Sequence, residues 1–206
     1  MSREYTTLIS AADLAQQRRP DWVVLDCRHD LANPQAGRAA YDAGHIPGAL
    51  FASLDHDLAD HARAEDGSLR GRHPLPAIDA FIATLRRWGV NDDSQVVAYD
   101  AQGGMFAARL WWMLRWAGHR AVAVLDGGLA AWTAAGQPVA TDSPDAPPAG
   151  DFSLREPLLE QGIFPVGLRQ LGRHGVDGDL LRSPLQRLQS LKGARITLTA
   201  PVRQGR

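Results

Sequence analysis

The chain has 206 residues, 45% of them hydrophobic, and a formal net charge of -1 at pH 7. That apolar content is enough for a buried core, and the balanced charge gives no reason to expect nucleic acid or a membrane surface as partner. No apolar run approaches the roughly 20 residues of a membrane span, and MSREYTTLIS lacks the pattern of a signal peptide, so the expected location is cytoplasmic. One cysteine, Cys27, excludes an intramolecular disulfide and a multi-cysteine metal site.

Ser10-Ala-Ala-Asp13 has the form of a capping box and predicts a helix to about Gln17. Trp22 to Leu25 predicts a short buried strand, followed by the charged run Asp26-Cys27-Arg28-His29-Asp30. Residues 31–44 read as loop. Gly44-His45-Ile46-Pro47-Gly48-Ala49 is a compact turn before the apolar run Leu50 to Ala52. Asp55 to Arg72 reads as a polar surface excursion with some helix. His73-Pro74-Leu75-Pro76 is rigid and leads into a helix from about Ala77 to Trp88. There Ile78, Phe81, Ile82, Leu85 and Trp88 form one apolar stripe. Val96 to Tyr99 predicts a buried strand, and Asp100-Ala101-Gln102-Gly103-Gly104 a turn whose glycines permit unusual backbone angles. Met105 to Ala117 predicts a deeply packed helix, ended by Gly118-His119. Ala121 to Leu125 predicts another buried strand, Asp126-Gly127-Gly128 a turn, and Leu129 to Ala135 a short helix. Alternating strands and helices predict a parallel sheet covered by helices. Ligands of such sheets sit beyond the carboxyl ends of the strands, which directs attention to the loop at Asp100–Gly104.

The pattern changes after Val139. Residues 141–150, TDSPDAPPAG, read as a Pro-rich linker. Residues 151–206 carry nine basic and five acidic residues, a net of +4, and show no core pattern. They read as an irregular tail.

The segments VVLDCR (23–28), YDAGHIPGALF (41–51), GRHPLP (71–76), LRRWGV (85–90), VVAYDAQGGMFAARLWWMLRWAGH (96–119) and VAVLDGGLAAW (122–132) stand in a characteristic order and spacing. Residues 7–139 thereby resemble the N-terminal, non-catalytic domain of two-domain rhodanese-like sulfurtransferases, the thiosulfate and 3-mercaptopyruvate sulfurtransferases. The resemblance implies an α/β rhodanese-like domain over residues 7–140, a small parallel sheet flanked by helices on both faces. It implies transfer of a sulfane sulfur to a thiophilic acceptor such as cyanide, by a cysteine thiolate at the first position of a loop. Loop N–H groups and the following helix N-terminus stabilise that thiolate and its persulfide. Here the loop begins with Asp100. The anion-loop candidates are Asp100, Ala101, Gln102, Gly103, Gly104 and Met105, with Asp100 expected to be structural. No catalytic residue, cofactor or metal is expected, and the chain is expected to be a weak or inactive sulfurtransferase. The alternative is a non-catalytic rhodanese-like binding or regulatory module. Residues 151–206 are too few for a second such domain, so they read as a remnant or replacement of one, by truncation or a reading-frame change. The expected partner is a small sulfur-containing anion, with self-association through an exposed inter-domain face.

Individual residues read as follows. Cys27 is expected to be a small, half-buried residue at a strand end rather than a sulfur carrier. His45 is expected to tie loop backbone together. His29, His56, His61 and His73 match no zinc spacing and read as solvated. Gly103-Gly104 and Gly127-Gly128 read as turn and close-packing glycines, and Trp111, Trp112 and Trp116 as packing residues. Arg109 and Arg115, on an apolar helix, need partners, and Asp100 and Asp126 are the candidates.

Overall fold

The computed structural model describes residues 3–62, 67–68 and 71–158. In chain order the elements are β1 (Leu8–Ile9), α1 (Ala11–Gln17), β2 (Val23–Asp26), α2 (Pro34–Ala43), β3 (Leu50–Phe51), α3 (Ile78–Arg87), β4 (Val96–Tyr99), α4 (Met105–Trp116), β5 (Val122–Leu125) and α5 (Gly128–Ala134). The five strands pair in the order β1-β5-β4-β2-β3, and every pairing is parallel. All four residues of β4, the central strand, are buried, as the unbroken apolar run Val96 to Tyr99 requires of a strand covered on both faces.

Successive strand residues point to opposite faces. Val24, Val97, Tyr99, Ala123 and Leu125 share one core with Ile9, Leu14 of α1 and Trp132 of α5. The alternate set Leu25, Val96, Ala98 and Val122 is fully buried, and α4 packs against β4 and β5. The predicted parallel sheet flanked by helices is therefore present. The Ser10 hydroxyl accepts the Asp13 N–H at 3.0 Å, so the capping residue starts α1. On α3 the stripe residues Phe81, Ile82, Leu85 and Trp88 are buried.

Two local expectations are corrected. Residues 31–44 are not all loop, because Pro34–Ala43 is helical. Asn33 caps it, with its side chain accepting the Gln35 N–H, and Pro34 fills the first turn, where no N–H is needed. Gly37 sits inside that helix for a steric reason: a Cβ there would lie 2.1 Å from the Arg28 carbonyl oxygen. The excursion after Asp55 shows no helix among its described residues, and Leu58 and Ala59 are buried.

Residues 150–158 lie along the ends of two helices. The Gly150 N–H donates to the Arg86 carbonyl at the end of α3, and those of Arg155 and Leu158 donate to the Ala117 and Arg115 carbonyls at the end of α4. The Arg86 and Arg115 carbonyls also accept the Gly89 (3.0 Å) and Gly118 (3.1 Å) N–H groups at their own helix ends, so the strap adds a second donor to each. Phe152 is buried under the strap, edge-on to His119. The rest of the expected tail lies outside the described residues.

Asp92 holds this strap. Hydrogen bonds from the Ser153 N–H (2.8 Å) and hydroxyl (2.7 Å), with Arg155 at 2.8 Å, pull its pKa from an ordinary 3.8 to about 2. A carboxylate whose folded pKa is depressed contributes stability above its unfolded pKa and loses it as pH falls through the folded one. Strap anchoring should therefore be complete above about pH 4 and lost towards pH 2. Asp92→Ala should abolish that step. Hydrogen exchange at the Ser153 and Arg155 amides, followed against pH, checks it, and pH-independent protection in the wild type would contradict it.

Candidate functional site

The loop after β4 starts at Asp100, directly beyond the carboxyl end of the central strand. Its carboxylate is buried and accepts four backbone N–H groups. One oxygen takes those of Gln102 (2.9 Å) and Gly104 (2.8 Å), and the other takes those of Phe106 (2.8 Å) and Ala107 (3.0 Å). The last two belong to the first turn of α4, whose leading N–H groups have no partner within the helix. Gly103 and Gly104 have φ of 75° and 89°, and these left-handed angles turn the amides inward. Ala101, Gln102, Gly103 and Met105 are exposed around this centre. The loop is thus a nest of converging donors with a carboxylate of the same chain in it.

Neighbouring backbone fixes the loop in place. Leu129 N–H donates to the Asp100 carbonyl at 3.1 Å, and a Cβ at Gly128 would sit 2.2 Å from that oxygen. The glycines at 103–104 and 127–128 act as expected, in turns and close packing.

A second buried polar group lies beside the loop. Asp26, at the end of β2, accepts from the Tyr99 hydroxyl (2.7 Å) and from Arg28 Nη2 (2.7 Å) and Nε (3.0 Å). Tyr99 Oη accepts the Ile46 N–H at 3.1 Å, and Arg28 Nη2 donates to the Gly44 carbonyl at 2.7 Å. The Gly44–Ala49 turn is therefore tied to the two central strands. Burial, with Asp26 alongside, pushes the Tyr99 hydroxyl pKa far above its ordinary value, so Tyr99 stays a hydrogen-bond donor. In the turn, His45 Nδ1 bonds the Tyr41 carbonyl at 2.9 Å and its ring stacks on Tyr41. His45 thus ties backbone as expected, while its Nε2 is buried without a hydrogen-bond partner.

Cys27 follows β2 directly and is 1% exposed, so the expected half-burial is corrected to full burial. Its thiol pKa is raised well above the usual value, first by burial and then by Asp26, Asp100 and Asp57. Such a thiol stays protonated at neutral pH and is a poor nucleophile.

Three other expectations change. Arg109 is not paired with Asp100 or Asp126. It donates to the carbonyls of Leu58 (2.7 Å) and His73 (2.9 Å), which lowers the demand for a counter-charge. Arg115 donates to the Leu158 carbonyl at 3.0 Å and lies over the Trp111 ring. Of the four histidines read as solvated, His56 and His61 are exposed, but His29 is 5% exposed and His73 half-buried. The tryptophans pack as expected: Trp112 is buried and stacks on Trp116, which stacks on Phe81.

Comparison with known proteins agrees with this geometry. The model of the rhodanese-like domain matches residues 10–135, and the chain belongs to that family. It is 47% identical over 147 residues to a protein of Pseudomonas aeruginosa named "Probable 3-mercaptopyruvate sulfurtransferase", covering 70% of this chain and 50% of that one. It is 31% identical to the bovine thiosulfate sulfurtransferase over 209 residues, 98% of this chain and 61% of the relative. The crystal structure of the Escherichia coli 3-mercaptopyruvate sulfotransferase SseA superposes with a TM-score of 0.64 at 31% identity. That match covers 79% of this chain and 59% of SseA. The chain spans about half to three fifths of the length of these relatives. Among the described residues, no helix is long and apolar enough to cross a membrane.

Proposed function

We propose that this chain is the non-catalytic rhodanese-like half of a thiosulfate or 3-mercaptopyruvate sulfurtransferase, and that alone it carries sulfur weakly or not at all. One observation supports this above the others: the loop that would cradle a thiolate and its persulfide holds the Asp100 carboxylate, with all four donors engaged. A carboxylate satisfies the cradle electrostatically, but it offers no sulfur to form a persulfide. The single cysteine is buried with a raised pKa. The relatives' names support the substrate class, a small sulfur-containing anion, and the match to the bovine enzyme over 98% of the chain extends the likeness into residues 151–206. In this reading the protein is cytoplasmic, and sulfur transfer needs a cysteine that this chain does not supply.

Intact mass before and after thiosulfate or 3-mercaptopyruvate, with Cys27→Ser alongside, tests the proposal. The expected result is no gain of sulfur in either protein. A one-sulfur adduct on the wild type, absent from Cys27→Ser, would overturn it.

A further inference from the structure

Three stretches separate in sequence bring nitrogen and oxygen donors together beside the loop. His29 comes from the segment after β2, Asp55 from the turn after β3, and His73 from the rigid His-Pro-Leu-Pro run before α3. One ligand atom from each lies within 4.8 Å of the other two. His73 Nε2 is 3.2 Å from Asp55 Oδ1, and His61 Nε2 is 3.4 Å from the same oxygen. We propose that His29, Asp55 and His73 form a binding site for one divalent transition ion of the zinc type.

The convergence of three donor atoms from separate stretches is the geometric ground for an ion. Metal–ligand bonds of about 2.0–2.1 Å place neighbouring donors of a tetrahedral site about 3.3–3.4 Å apart. The 3.2 Å separation of His73 Nε2 and Asp55 Oδ1 is close to that spacing, and the His29 donor atom lies within 4.8 Å of both. The two histidines are also held in place. His29 is buried edge-on to Phe106, with ring centroids 5.3 Å apart, and stands at 6.0 Å from the His73 ring. The backbone carbonyl of His73 is fixed by Arg109 at 2.9 Å.

The donor set selects the ion. Two imidazoles and one carboxylate suit zinc and its first-row neighbours, whereas calcium and magnesium require mostly oxygen ligands. Three protein donors leave a tetrahedral ion one open position. Arg109, bonded to the His73 carbonyl at 2.9 Å, is a like charge beside the ion. The site lies one side chain from the anion loop, because Phe106 packs on His29 and gives its N–H to Asp100.

The test uses the full chain after treatment with a chelator. It is titrated with Zn2+ by calorimetry and with Co2+ by visible absorption, whose intensity reports tetrahedral ligation. One ion per chain is expected, with affinity reduced about tenfold or more in His73→Gln and in Asp55→Asn. Asp55→Asn keeps a hydrogen-bond acceptor at that position, so the fold is retained, and circular dichroism of each variant verifies it. His56→Gln, at an exposed histidine, should bind like the wild type. Absence of saturable binding in the wild type, or binding unchanged in both site variants, would overturn the proposal.

Discussion

Asp100→Ala should destabilise the folded chain by about 3–5 kcal/mol, measured as a lower urea midpoint at unchanged slope. The four N–H groups now bonded to the carboxylate would face each other across an empty space. Hydrogen bonds to a charged group contribute about 1.5–3 kcal/mol each. Four of them exceed the expected loss because Ala101, Gln102 and Gly103 are exposed and water can enter from that side. The carboxylate also gives up its own hydration on burial, which offsets part of the gain. Asp100→Asn should recover little of the loss. Each carboxylate oxygen takes two donors, so an amide would set its own NH2 against either Gln102 and Gly104 or Phe106 and Ala107. An Asn variant as stable as the wild type would show that the second oxygen contributes nothing.

Arg28→Ala should cost a similar amount, about 3–5 kcal/mol, by a different route. Asp26 is wholly buried, and the Arg28 side chain is 8% exposed. Removing Arg28 leaves a buried carboxylate with the Tyr99 hydroxyl and the Arg28 backbone N–H as its remaining donors. It also frees the Gly44 carbonyl, and with it one anchor of the Gly44–Ala49 turn. Arg28→Lys should rescue only part of this, because an ammonium cannot span Asp26 and Gly44 as the guanidinium fork does. The double variant Asp26→Asn, Arg28→Met should be more stable than Arg28→Ala, since no buried charge is then left unpaired. Chemical denaturation of the set checks the order, and a loss below about 1 kcal/mol for Arg28→Ala would contradict it.

Much of this arrangement was legible in the sequence because its signals are local. The run Val96 to Tyr99 is apolar throughout because β4 is central and covered on both faces. Ser10 with Asp13 marked the start of α1, and the spacing of Phe81, Ile82 and Leu85 marked α3. The pair Gly103-Gly104 marked the turn in which Asp100 sits. Helix α2 was missed because its sequence, PQAGRAAYDA, buries little apolar surface and has a glycine inside it. Its signal was Asn33-Pro34, a cap followed by a proline at the first helical position. Strand β1 has two residues, too few to show a period. The partners of Arg109 were out of reach for another reason. They are backbone carbonyls of Leu58 and His73, and backbone acceptors leave no trace in residue identity. The meeting of His29, Asp55 and His73 is likewise a product of the tertiary fold, since ligands from three stretches have no common spacing.

The most direct test of the anion cradle is the thermal midpoint of Asp100→Ala with and without thiosulfate, at matched ionic strength, beside the wild type. An emptied cradle should take up the anion, so the variant's midpoint should rise with thiosulfate concentration, as expected for a ligand that binds the folded state alone. The wild type, whose donors are already engaged by Asp100, should not respond. A variant indifferent to thiosulfate, or a wild type that responds as strongly, would contradict the view that Asp100 occupies an anion site.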